Sequence, residues 1–142
     1  MKSVIICGSI RAASEIKRVE KELEENGFGV EIPEGVKNLE DWKKMGKENH
    51  EQAERKIELD LIRGYYEKMK EYDIVLIVNP EKDGIEGYIG GNTLIEMAFA
   101  HVLNKKLYTL HPLPDMKYSS EIIATQPIVL NGNLDVLVSQ ES

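Results

Sequence analysis

The sequence predicts an α/β protein: a three-layer α/β/α sandwich built around a five-stranded parallel sheet. Three observations support this prediction. Short β-branched runs alternate along the chain with stretches of helical periodicity. Glycine-rich turns follow two of these runs. The runs are also continuously apolar, which is typical of parallel strands buried on both faces. The 142 residues are enough for one domain, spanning 1–142, with a complete hydrophobic core.

The first part of the chain predicts a strand, a helix and a second strand. Residues 4–7 are a short β-branched run that stops at Gly8, which indicates a central strand. A helix follows and ends near Gly27, and its apolar residues recur on one stripe: Ile16, Val19 and Leu23. Residues 28–32 alternate in polarity up to Pro33 and predict the second strand.

The rest of the chain predicts three further strands. Residues 39–72 are dense in Glu and Lys and predict one or two helices, the later with an apolar stripe of Ile57, Leu61, Tyr65 and Met69. The apolar run over 73–78 is the clearest strand, and a glycine-rich loop then leads to a helix that opens at Thr93. A strand at 106–110, a helix at 119–125 and a strand at 127–130 complete a flavodoxin-like or Rossmann-like order.

Composition excludes several classes of function. The net charge of −7 disfavours non-specific binding to nucleic acid. No apolar run approaches the roughly 18–20 residues that span a bilayer, so we expect no membrane partner and a cytoplasmic protein. One cysteine excludes a disulfide framework, and the three histidines lack the spacing of metal ligands. We therefore expect no metal and no cofactor.

Two loops are expected to form the ligand site. In open parallel sheets, ligands bind beyond the carboxyl ends of the strands, at the point where the winding order reverses. The loops predicted to face that crevice span 8–14 and 79–93. Their composition therefore carries the functional information.

The first loop contains Gly8-Ser9-Ile10-Arg11 between a strand and a helix. Glycine lets a ligand approach the backbone, amides at a helix start favour an anion, and Ser9 and Arg11 add hydrogen-bond donors. A turn with a solvated arginine fits the same residues equally well. The loop is not a P-loop, because no Gly-Lys-Ser/Thr sequence closes it.

The second loop ends in Gly90-Gly91-Asn92-Thr93, three residues before Glu96. Small residues at a helix start again favour a ligand on the backbone amides. Thr93-x-x-Glu96 also fits a capping box, in which the carboxylate folds back onto the cap amide, and spacing alone favours that interpretation. Asp60 and Glu67 are candidate helix-borne acids, but an acidic solvated face explains both as well.

Together the two loops resemble the nucleoside 2-deoxyribosyltransferase superfamily. The resemblance rests on Ile6-Cys7-Gly8-Ser9-Ile10-Arg11, on Gly-Tyr-Ile-Gly-Gly-Asn-Thr-x-x-Glu over 87–96, and on Ala98-x-Ala100. The Cys-Gly-Ser-Ile-Arg string is most similar to the 2′-deoxynucleoside 5′-monophosphate N-glycosidases. The similarity covers 2–26 and 73–110, and more weakly 118–123.

The resemblance implies roles for several residues. Glu96 would be the nucleophile that attacks the anomeric carbon and forms a covalent glycosyl intermediate, and its place at a helix start is expected to keep it ionised. Substrate would be held by Gly8, Ser9, Arg11, Gly90, Gly91, Asn92 and Thr93. Ser120 matches a serine that a partner subunit contributes near the phosphate.

The chain departs from the family at two positions. Ile5 stands where the family often has a tyrosine near the sugar, and Tyr65 stands where counting back from Asp73 places its catalytic aspartate. Asp60 or Glu67 would then have to supply the acid.

Three functions remain open at this point. The first is an enzyme that cleaves or transfers at the N-glycosidic bond of a nucleoside or nucleotide, and the second is a non-catalytic nucleotide sensor of the same fold. The third, weaker option is cleavage of a dinucleotide at its nicotinamide riboside bond.

The helix carrying Glu96 is apolar on more than one face, through Leu94, Ile95, Met97, Phe99, Val102 and Leu103. A helix that is apolar all round has to be buried on all sides, so we also expect a homo-oligomer, most simply a twofold dimer.

Overall fold

A computed structural model describes residues 2–38 and 62–142 of the chain. Its centre is one five-stranded sheet in the order β2-β1-β3-β4-β5, and each neighbouring pair is parallel. The strands are β1 Ser3–Cys7, β2 Gly29–Glu31, β3 Ile74–Ile77, β4 Lys106–Thr109 and β5 Ile128–Val129. The predicted fold class is confirmed, and the strand order is the flavodoxin-like one.

The helices follow the strands as the periodicity predicts. A single 3₁₀ turn, Ile10–Ala12, leads into α1, and residues 62–69 are helical and are named α3 here. The other helices are α1 Ala13–Glu25, α2 Glu34–Lys37, α4 Gly91–Val102, α5 Ser119–Ala124 and α6 Asp135–Glu141. The short α6 was not predicted from the sequence. Most of the helical region predicted over 39–72, including Ile57, Asp60 and Leu61, lies outside the described residues.

Helices cover both faces of the sheet, which gives the three layers. Alternate residues of β1 point to opposite sides: Val4 and Ile6 belong to one core, Ile5 and Cys7 to the other. The first core packs the predicted α1 stripe together with Leu137 of α6. The second core packs side chains of α3, α4 and α5, namely Tyr65, Met69, Met97, Ala100 and Ile122. Burial on both faces explains why the strands read as continuous apolar runs.

The topology places the candidate site at one edge of the sheet. From β1 the chain moves outward to β2, and β3 then returns to the other side of β1 before the sheet continues to β4 and β5. The winding therefore reverses between β1 and β3. Gly8 and Val78 directly follow these two strands, so the loops that start there face the same crevice.

No helix within the described ranges is long and apolar enough to cross a membrane.

Candidate functional site

A crevice of about 550 Å³ opens at the carboxyl ends of β1 and β3. This volume lies within the usual range for small-molecule sites. Both predicted loops line it, as does Glu96, so the structure brings together most of the residues singled out from the sequence: Gly8, Ser9, Arg11, Gly90, Gly91, Asn92, Thr93 and Glu96.

The first loop is shaped by close contact between the ends of two strands. A Cβ atom on Gly8 would lie 3.0 Å from the Val78 carbonyl oxygen and 3.2 Å from Cδ1 of Ile16, so a larger residue would push the loop away. Ser9 precedes the 3₁₀ turn, yet its side chain makes no capping hydrogen bond. Ser9 also lines the crevice, so its hydroxyl is available to a ligand there.

The second loop opens α4 earlier than the sequence predicted. The helix begins at Gly91, and Gly90 is its N-cap residue. The prediction of a capping box is therefore wrong, because Thr93 is already the third residue of the helix and no side chain caps this end. Because Gly90 has no side chain to satisfy the first amides of α4, these donors are left facing the crevice with Asn92 and Thr93.

Glu96 provides the only carboxyl group among the described residues that line the crevice. Burial raises the pKa of Glu96 to about 8, while hydrogen bonding from the neighbouring Cys7 thiol acts in the opposite direction. The expectation that the helix start keeps Glu96 ionised is therefore wrong. Glu96 is the sixth residue of α4, beyond the first turn where the helix dipole is strongest, so loss of hydration dominates. At pH 7, roughly a tenth of the molecules carry the charged form.

Tyr65 of α3 reaches the crevice beside Glu96. Its hydroxyl donates a hydrogen bond of 2.6 Å to the Ile6 carbonyl oxygen, and its side chain is almost fully buried. Burial first, and then the neighbouring Cys7 and Glu96, raise the pKa of Tyr65 well above its usual range. Tyr65 thus supports the structure of the site, and it is not suited to give up its proton as an acid catalyst. Ile5, the other departure from the family, is fully buried and brings no polar atom to the site.

Sequence reasoning gave no role to Lys82 or Tyr88, two residues with polar groups that also line the crevice. The Lys82 ammonium nitrogen lies 5.0 Å from the centre of the Tyr88 ring. The guanidinium carbon of Arg11 lies 5.8 Å from the same ring centre, and Arg11 also donates a 3.0 Å hydrogen bond to the Glu81 carbonyl oxygen. Both residues fall in the glycine-rich loop, and Tyr88 belongs to the motif over 87–96, but no spacing of Lys or Tyr predicts a role in the site.

Asn79 fixes the position of this second loop. Its buried side-chain amide donates to the carbonyl oxygens of Gly87, His111 and Pro112 at 3.2–3.4 Å, and its side-chain oxygen accepts from the His111 amide at 3.0 Å. Gly87 has a φ of +70°, and a Cβ atom there would lie 1.8 Å from the Pro112 carbonyl oxygen. The loop is therefore held against the segment that follows β4.

The remaining predicted residues do not reach the crevice of this chain. Glu67 is exposed and pairs with Lys70 at 3.4 Å. Ser120 is exposed on α5 and does not line the crevice, whereas Asp60 lies outside the described residues. Within 2–38 and 62–142, no cluster of three or more His, Cys, Asp or Glu side chains is arranged to hold a metal ion.

Comparison with known proteins gives no family assignment. No family model, no curated protein and no solved structure matches the chain. The case for its function accordingly rests on the two loops, on Glu96 and on the geometry that joins them.

Proposed function

We propose that this protein cleaves the N-glycosidic bond of a nucleoside or nucleotide, as a hydrolase or as a deoxyribosyltransferase. One observation carries the proposal: Glu96 lies in the same crevice as the Gly8–Ser9 turn and the Gly91–Thr93 helix start. These are the motifs through which the chain resembles the nucleoside 2-deoxyribosyltransferases. A carboxylate and polar groups around a crevice of ligand size are what glycosyl transfer through an oxocarbenium-like transition state requires.

In the proposed reaction, an oxygen of ionised Glu96 attacks the anomeric carbon of the sugar. The N-glycosidic bond breaks, and its electron pair leaves with the base nitrogen, which takes a proton from water. The hydroxide so formed then cleaves the glycosyl ester, which frees the sugar and restores the Glu96 carboxylate. Attack by a second base in place of hydroxide transfers the sugar instead.

The lining of the crevice supports a ligand that is part anionic and part planar. Ser9, Arg11 and Asn92 offer hydrogen-bond donors, as a sugar or a phosphate needs. Apolar side chains, Ile10, Ile62, Ile95 and Phe99, line the same space. Surfaces of this kind suit the faces of a nucleobase.

The proposal is tested by screening nucleosides and nucleotides for release of the free base by chromatography. The wild type should release base from at least one of them, and Glu96→Gln should lose the activity by at least 100-fold, on the order expected when a nucleophile is removed. Glu71→Gln, which alters an exposed carboxylate outside the crevice, is the matched control and should match the wild type. Because only ionised Glu96 attacks, kcat/KM should rise with pH and level off above about 8.

A second function, nucleotide binding without chemistry, is favoured by one observation. A Glu96 pKa of about 8 leaves most molecules with a neutral, non-nucleophilic side chain at pH 7. In that case nucleotides bind to wild type and Glu96→Gln alike, and no base is released between pH 6 and 9. The base-release screen, run beside calorimetry on the same ligands, separates the two functions.

A further inference from the structure

We propose that Glu96 and Phe99 form a site for a positively charged heteroaromatic base, so that the preferred substrates are N-glycosides of cationic bases, such as pyridinium or N-alkylated purine glycosides. A base of this class needs no proton when it departs, because the electron pair of the broken bond cancels its charge. This inference rests on the proposed function, since it assumes cleavage of an N-glycosidic bond. It adds a chemical class of substrate to that function.

The described lining of the crevice offers no efficient acid to a departing base. A neutral nucleobase leaves as an anion unless it is protonated, and a well-placed acid is worth about 10²–10⁴-fold in rate. Glu96 is the only carboxyl group among the described lining residues, none of which is histidine, and the reaction uses Glu96 as its nucleophile. Tyr65 stands where the resemblance places an acid, but its hydroxyl already donates to the Ile6 carbonyl oxygen at 2.6 Å. The other ionisable types in this lining, tyrosine, lysine and arginine, ordinarily hold their protons up to about pH 10, so a base that departs without a proton is favoured.

Glu96 is a carboxyl group without a described cationic partner. Among residues 2–38 and 62–142, the ion pairs within 4.0 Å do not include Glu96. The cationic groups of Arg11 and Lys82 lie instead against the Tyr88 ring, at 5.8 Å and 5.0 Å from its centre. A cationic base is attached to the anomeric carbon that Glu96 attacks, so in the complex it lies next to the carboxyl group. The substrate itself therefore brings the positive charge that stabilises ionised Glu96.

Phe99 supplies an aromatic ring one helical turn from Glu96. Residues three apart on a helix share a face, and Glu96 and Phe99 both line the crevice. The Tyr66 ring packs against Phe99 edge to face, with ring centres 4.9 Å apart and an angle of 69° between the ring planes, which fixes the orientation of Phe99. Aromatic faces attract cations and stack on planar rings. Because Ile62 and Ile95 line the same space, a flat cationic ring fits this part of the crevice better than a hydrated ammonium group.

The reaction with a cationic glycoside needs only Glu96 and water. One oxygen of ionised Glu96 bonds to the anomeric carbon while the bond from that carbon to the ring nitrogen breaks. The electron pair of the broken bond stays on the ring nitrogen, and the base leaves as a neutral molecule. Water then attacks the anomeric carbon of the glycosyl ester, so the sugar gains a hydroxyl group, one proton is released and the Glu96 carboxylate is restored.

The pairing of a cationic base with Glu96 makes affinity depend on pH. The pKa of Glu96 is about 8 in the free protein, and a bound cation favours the ionised form, so a cation binds more tightly as pH rises from 6 to 9. Burial raises the pKa values of Cys7 on β1 and Tyr65 on α3, the titratable groups that face Glu96, so both stay neutral over this range. Arginine and lysine, present in the lining as Arg11 and Lys82, ordinarily stay charged up to pH 9.

The first experiment measures binding alone, by NMR titration of the full chain with cationic 1-methylnicotinamide and with neutral nicotinamide. Between pH 6 and pH 9 the affinity for the cation should rise about tenfold, and that for nicotinamide should change less than about twofold. Glu96→Gln should abolish the pH dependence. Phe99→Leu should weaken the cation by about two- to fivefold at each pH and spare nicotinamide. Phe28→Leu, the same change outside the crevice, should bind both ligands as wild type does.

The second experiment measures release of the free base by chromatography. The substrates are nicotinamide riboside, 7-methyladenosine and adenosine, each as the riboside and as the 2′-deoxyriboside, and the spontaneous rate is subtracted. The last two differ by one methyl group and one positive charge. In wild type, kcat/KM for the cationic substrates should exceed that for adenosine by at least about 100-fold, and Glu96→Gln should release none of the bases.

The outcomes separate this inference from the proposed function. If wild type cleaves adenosine as fast as 7-methyladenosine, or binds the two nicotinamides equally at every pH, the cationic-base site is overturned and the glycosidase proposal survives. If Phe99→Leu weakens both nicotinamides by the same factor, or neither, Phe99 does not contact the charged ring and its place in the site is overturned. If no base is released from any nucleoside or nucleotide, cationic or neutral, both proposals fail.

Discussion

Replacing Glu96 with Gln should stabilise the protein, and the gain should grow with pH. The substitution keeps the shape of the side chain and removes its titration. In the folded protein Glu96 has a pKa of about 8, against 4.5 for the same side chain in an unfolded chain. Below pH 4.5 the group is neutral in both states, so burial costs little. Between pH 4.5 and 8 the unfolded chain releases the proton while the folded protein keeps it, so wild-type stability falls as pH rises, and the fall ends above pH 8.

The size of the effect follows from the pKa difference. One pKa unit corresponds to 1.36 kcal/mol, so the burial penalty at pH 7 is at most about 3 kcal/mol. Glu96 still meets solvent through the crevice, which reduces the penalty, and we expect a gain of about 1–2 kcal/mol for Glu96→Gln. For a domain of this size, that gain corresponds to an increase in Tm of about 3–8 °C.

Thermal unfolding by circular dichroism, at half-unit steps from pH 4.5 to pH 9, measures this gap. The two Tm curves should nearly coincide at pH 4.5, diverge up to pH 8 and then run parallel. Glu71→Gln, at an exposed site, should shift Tm by less than 1 °C throughout. A gap that does not change with pH, or one that appears equally in the control, would refute the raised pKa assigned to Glu96.

Three further predictions address the anion site, the second loop and the assembly. Arg11→Ala should weaken a nucleoside monophosphate by roughly 1.5–3 kcal/mol and the nucleoside much less; calorimetry showing equal losses would reject a phosphate contact. Gly87→Ala should destabilise the protein by about 3 kcal/mol or more in denaturant titrations, because its Cβ would lie 1.8 Å from the Pro112 carbonyl oxygen. Gly84→Ala is the matched control: it has a φ of +81° but no atom within 4 Å of the added Cβ, and it should cost only about 1 kcal/mol. Similar losses for both would show that backbone conformation alone matters. Light scattering at micromolar concentration should give a mass above 16.1 kDa for wild type, as a dimer requires. Val102→Lys should be a monomer, because Val102 is 73 % exposed on α4 and a charge there would oppose an apolar interface. A monomeric wild type would contradict the predicted dimer.

The sequence predicts the sheet and the loops well because both depend on local pattern. A continuous apolar run such as 74–77 has few alternatives to a buried strand, and glycine after a strand marks a place where backbones approach closely. The spacing of the apolar residues likewise predicts the buried face of α1, and the three residues that it indicates are fully buried.

The errors arise where the outcome depends on tertiary packing. Thr93-x-x-Glu96 has the same spacing whether Thr93 caps the helix or lies one turn inside it, and only the conformation at Gly90 decides between them. The protonation of Glu96 depends first on burial and then on the Cys7 thiol of β1, and both are set by parts of the chain distant in sequence. Lys82 and Tyr88 come together with Arg11 only through folding, across about 70 residues of chain. Tyr88 lies within the motif over 87–96, but the motif does not indicate its contact with the two cations.

The attachment of the second loop has a consequence for how a ligand is recognised. Asn79 ties the loop to the segment after β4, and Tyr118 adds a 2.6 Å hydrogen bond to the Ile89 carbonyl oxygen. Ordering a free loop on binding costs about 1–2 kcal/mol per residue in backbone entropy, and a loop that is already fixed avoids that cost. The wall of the crevice is thus preorganised by residues that never touch the ligand. Substitutions at Asn79 or Tyr118 should consequently alter affinity at a distance, by allowing the unliganded wall to sample conformations that cannot bind.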